Sequence, residues 1–136
     1  MRAFLEAHHG EWEDWLFLNL DGVAAPATLR FLPREGVSRI YKADPGLVAI
    51  CEAVARDHPG VGLQGATRLV GLIYDATPVM ARKGRAITLS AQDKIIPNYH
   101  TANDVPEALD GGVLARALEA TSLIAAAVDR GEADQR

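Results

Sequence analysis

The segment WLFLNLDG, residues 15–22, decides how the chain is to be read. Its nearly continuous apolar run has the pattern of a strand buried on both faces, as in parallel sheets covered by helices. Asp21 and Gly22 then close it, because Asp hydrogen-bonds its own backbone and Gly accepts positive φ. Downstream, ATLRFLP (27–33) alternates more clearly and is expected as a neighbouring strand ended by Pro33. ADPGLVAICEAVARDHPG (43–60) follows as a helix, with Asp44 as cap and Pro45 at its first position. Leu47, Ile50, Cys51, Val54 and Ala55 line one of its faces.

Further along, RLVGLIYD (68–75) is strand-like despite Gly71, and TPVMARKG (77–84) fits one or two helical turns closed by Gly84. AITLSA (86–91) reads as a short buried strand, and 92–105 as loop. Asp110 caps a final helix whose expected apolar face carries Leu114, Leu118, Thr121, Ile124 and Val128. Upstream of the opening strand, MRAFLEAHH (1–9) has Phe4, Leu5 and His8 at helical spacing and stops at Gly10. Strands alternating with helices predict an α/β domain of three layers, α/β/α, around a mixed, largely parallel sheet. The domain spans 1–130, and 131–136 form a polar tail expected to fray.

With 136 residues, the chain is long enough for one domain with a sizeable core. Apolar residues at 49% and charged residues at 24% are ordinary for a globular fold. The net charge of −4 gives no footprint for nucleic acid. No apolar run approaches the ~20 residues that cross a bilayer, and no basic-then-apolar leader opens the chain. A cytoplasmic protein is the expectation. Cys51, the single cysteine, allows no internal disulfide and no thiolate zinc cluster. Its place in the apolar stripe of a helix makes it an inert core thiol.

Ligands in such sheets bind beyond the carboxyl ends of the strands. Three polar residues fall there: Asp21, Asp75 and His100, the last in PNYHTANDV (97–105). Carboxylate and imidazole are natural zinc ligands. Each also has a plainer reading. Asp21 serves as a turn residue, Asp75 as a helix N-cap, His100 as an exposed loop histidine, and Tyr99 packs its ring under the loop. His8 and His9, at a helix end, face solvent, and His58 before a proline marks a turn. G-x-S-x-G, G-x-x-x-x-G-K-[ST] and H-E-x-x-H are all absent from the sequence, and GVGLQG (60–65) is a loop.

Taken in order, NLDGV (19–23), YDATPVMARKG (74–84), and NYHTANDVPEALD (98–110) before a long helix resemble the C-terminal half of the co-catalytic zinc aminopeptidases. That family includes leucyl and streptomycete-type aminopeptidases and has glutaminyl cyclases as relatives. The resemblance implies a partial zinc-exopeptidase fold acting on peptide N-termini. It makes Asp21 and His100 ligands of one zinc, and gives Tyr99 the task of polarising the scissile carbonyl. Asp104 would orient the loop, Thr101 would cap it, and Asp75 would join the proton network of cyclase-like relatives. GRAI (84–87) stands where relatives have Gly-Ile-Pro-Ala. A larger departure is that the family's upstream histidine, metal-bridging aspartate and Glu-Glu pair have no counterpart here. The resemblance therefore implies a chain starting just after the general base, inactive alone, and either self-associating or completed by a missing N-terminal half. Two alternatives stand beside it: a non-catalytic remnant used in assembly or binding, and a cyclase-like single-zinc acyltransferase.

Overall fold

A computed structural model describes residues 1–67 and 72–134. Its centre is β6 (Arg85–Ala91), buried from Ala86 onward on both faces. On one side lies β1 (Leu16–Leu20), parallel to it with Leu16 opposite Arg85 and Leu20 opposite Leu89. On the other lies β2 (Leu29–Leu32), antiparallel, followed by the two-residue β5 (Gln64–Gly65), which runs parallel to β2. The order β1-β6-β2-β5 makes a mixed sheet of largely parallel pairs. Helices accompany it, so the fold class is α/β.

Two long helices pack together and against the sheet: α2 (Pro45–Asp57) and α4 (Gly111–Asp129). The start of α2 is fixed by its sequence: the Asp44 carboxylate accepts the Leu47 N–H at 3.0 Å, and Pro45 supplies a pre-set first turn. Leu47, Ile50, Cys51 and Val54 are its buried stripe, as their spacing predicts. Asp110 likewise caps α4, accepting from the N–H groups of Gly112 and Val113. Short α1 (Arg2–Ala7) and α3 (Thr77–Ala81) are the other α-helices among the described residues. A small hairpin, β3 (Arg34–Glu35) with β4 (Tyr41–Lys42), packs against α3.

Several expectations are corrected. WLFLNLDG is not buried on both faces: among the described residues β1 is the edge strand, its other residues half-buried and Leu20 46% exposed. ATLRFLP does not neighbour it, because β6 lies between them and runs antiparallel to β2. In RLVGLIYD, residues 68–71 lie outside the described residues, and 72–75 form no strand. Asp75 is not a helix cap. The position before α3 is Ala76, and it is the Thr77 hydroxyl that accepts the Tyr74 N–H at 2.9 Å. On α4 the buried stripe is Val113, Ala117, Ala120, Ile124 and Ala127, while Leu114 and Leu118 face solvent. Small side chains let α4 approach α2 closely, so packing selects the alanines. α4 is also long and apolar enough to cross a bilayer by length and composition alone. The expected fraying is overturned for residues 132–134: Ala133 is buried, and Arg85 bonds both the Ala133 carbonyl and the Asp134 carboxylate.

Candidate functional site

Parallel pairing of β1 with β6 explains why residues distant in sequence meet. Both strands end on the same side, so the loops that follow them emerge together. Asp21 continues the ladder by one bond, donating its N–H to the Leu89 carbonyl at 3.1 Å. Gly22 then turns the chain at φ +61°, where a Cβ would also press on the Ile96 side chain at 3.0 Å. The Asp110 N–H donates to the Ala24 carbonyl and ties the start of α4 to this turn.

The second loop is held mostly by its own polar groups. The Thr101 hydroxyl donates to the Asn98 carbonyl at 2.8 Å and accepts the Asn103 N–H. The Tyr99 and Asp104 N–H groups bond the carbonyls of Ile96 and Thr101. Asn98 and His100 both take positive φ, +59° and +56°. Asn and His are among the few side chains that adopt this region, and strained backbone of this kind gathers at functional sites. The result stacks the Tyr99 ring on the His100 ring, centroids 3.9 Å apart and planes at 15°. Beneath, Tyr99 packs on an apolar cluster that includes Ala25, Tyr74 and Ile96.

Together these loops enclose a cavity of about 420 Å³. Asp21, Tyr99, His100 and Asp104 line it, against apolar walls that include Val23 and Leu109. Asp75 and Thr101 are not among the lining residues, and Thr101 spends its hydroxyl within its own loop. Asp75 nonetheless acts on the site electrostatically. Burial pushes the Asp21 carboxyl above the ordinary aspartate range, the Asp75 charge pushes it further, and His100 pulls it back.

A buried polar layer below the strand ends was not read from the sequence. Glu35 is fully buried; the hydroxyls of Thr77 and Thr88 donate to its two oxygens at 2.7 and 2.8 Å. Asn19, two residues before Asp21, donates to the Thr88 hydroxyl. Tyr74 donates to the buried Gln92 Oε1 at 2.8 Å, and burial pushes its phenol up to about 12. Within FLPREG, Glu35 looks like an ordinary turn acid, and nothing in its neighbours announces burial.

As a metal centre, the arrangement supplies two donors of the right chemistry, a carboxylate and an imidazole. Among the described residues no group of three or more His, Cys, Asp or Glu could hold a metal ion. The donors present thus fit half of a tetrahedral zinc sphere and fall short of a whole one. The chain matches no family model, no curated protein and no solved structure.

Proposed function

We propose that this chain carries one part of a zinc exopeptidase site, with Asp21 and His100 as two ligands of a single zinc. The observation that supports the reading is their convergence: loops after two parallel strands bring both onto one cavity, close enough for His100 to act on the Asp21 carboxyl. When bound, zinc supplies a Lewis acid and an activated water. The chain's own residues bind and orient. Tyr99 sets its ring against His100 and stands ready to hydrogen-bond a carbonyl oxygen, and Asp75 tunes the proton affinity of Asp21. The substrate class is the peptide N-terminus. The remaining ligands and the general base correspond to the upstream histidine, aspartate and Glu-Glu pair of the zinc aminopeptidases, which these residues do not contain. Activity of the chain alone is therefore expected to be absent.

A second reading, a binding or assembly module without catalysis, draws on the absence of a three-donor group among the described residues. Calorimetric titration with zinc separates the two. The first reading expects one weak site whose affinity falls on the order of tenfold or more in Asp21→Asn and in His100→Ala. Leucyl-p-nitroanilide should remain unhydrolysed. If both variants bind zinc as the parent chain does, the metal reading fails and the binding module stands.

A further inference from the structure

We propose that the groove between α1, the β3–β4 turn and α3 binds a small organic dianion with an apolar body, through Arg2, Arg39 and Arg82. The chain as a whole is acidic, at −4, yet these three arginines from separate parts of the fold line one groove of about 520 Å³. Outside the groove the pattern is mixed: Arg30, Arg56, Arg85 and Arg130 each meet a carboxylate within salt-bridge distance, whereas Arg34 and Arg116 meet none among the described residues. Among the described residues, Arg2, Arg39 and Arg82 meet none. Glu6 is the one acid among the described lining residues, so three cations against one carboxylate leave two positive charges among them for a ligand to neutralise.

Geometry prepares two of the cations. The Arg39 guanidinium lies over the Tyr41 ring, 5.4 Å from its centroid, which holds the planar group in place. Arg82 is anchored by one Nη1 bond to the Pro78 carbonyl at 3.2 Å, leaving most of its donor fork for another acceptor. A rigid guanidinium fork matches the paired oxygens of carboxylate and phosphate. Beside these charges lie exposed apolar side chains, Val37 at 59% and Ile73 at 65%, on which an apolar body would rest. The volume falls within the ~300–1,000 Å³ that small organic ligands occupy. The groove shares no lining residue with the Asp21–His100 cavity, so it stands or falls independently.

The test is a titration of the full chain, followed by NMR, with three six-carbon probes: adipate, hexyl phosphate and neutral hexanediol. At least one anion is expected to saturate shifts in residues 36–41 and 77–82, with hexanediol giving none. Whether adipate or hexyl phosphate binds tighter distinguishes a carboxylate from a phosphate ligand. Raising the salt should weaken the anion, and the double variant Arg39→Gln, Arg82→Gln should bind about tenfold more weakly or worse. Lys94→Gln, away from the groove, should bind normally. If the double variant loses its native spectrum, the salt dependence of the parent chain decides. Saturation by hexanediol equal to that by the anions, failure of both anions to saturate these residues, or binding indifferent to salt would overturn the proposal.

Discussion

Glu35 is a carboxyl placed where water does not reach, and its surroundings fix the sign of its pH dependence. Burial raises it above the ordinary glutamate range and the Asp21 charge adds to that, while the Thr77 and Thr88 hydroxyls oppose the rise. The native state thus holds the proton more tightly than the unfolded chain does. Glu35's contribution to stability is fully present below the unfolded value near 4.5 and is lost as pH climbs through the raised native value. Urea unfolding from about pH 4 to about pH 8 should therefore show the parent chain losing stability relative to Glu35→Gln as pH rises. A difference independent of pH would show the carboxyl to be unperturbed. Cys51 gives a second test. It is fully buried and its thiol is pushed up to about 12, so labelling by Ellman's reagent at mildly alkaline pH should wait on unfolding. Rapid labelling of the native chain would contradict its place in the core.

At the scale of elements, α4 offers the sharpest contrast. Ala120 is fully buried in the inner stripe of α4, whereas Leu118 is 69% exposed. Ala120→Leu should destabilise by ~1–3 kcal/mol through overpacking. Leu118→Ala should change stability by less than ~0.5 kcal/mol, both read from urea midpoints. The reverse ranking would restore the leucine face that the sequence suggested. That face was misread for a physical reason: nearly every position from Val113 to Val128 is apolar or small, so periodicity carries no phase, and side-chain size decides. In α2 the cap, the proline and the stripe agree, and its span and buried face were legible. β6 was legible as a short buried apolar run. β1 was not, because half-buried edge residues and fully buried ones can share one composition. The β3–β4 hairpin is too short to carry any period. Within the site, Asp21 and His100 could be picked out by the motifs they end or occupy. Glu35, Tyr74 and Gln92 could not, since their partners come from other elements.

At the scale of the whole molecule, the side of β1 away from β6 sets the expectation for behaviour in solution. Among the described residues β1 pairs only with β6, and Leu16–Leu20 carries no charge, proline or bulge to block a further strand. Phe4 and Trp15 are exposed nearby, at 43% and 38%. Self-association through this edge is expected in sedimentation velocity, and Leu20→Lys should shift the population to monomer. A parent chain monomeric at every concentration would remove that expectation. The account depends most on two loops delivering an acid and an imidazole to one ion. An anomalous difference map at the zinc edge, from crystals of this chain equilibrated with zinc, addresses it directly. The expected result is one peak about 2.0–2.2 Å from both an Asp21 carboxylate oxygen and a His100 ring nitrogen. A peak touching one of them without the other, or zinc held only at unrelated residues, would contradict it.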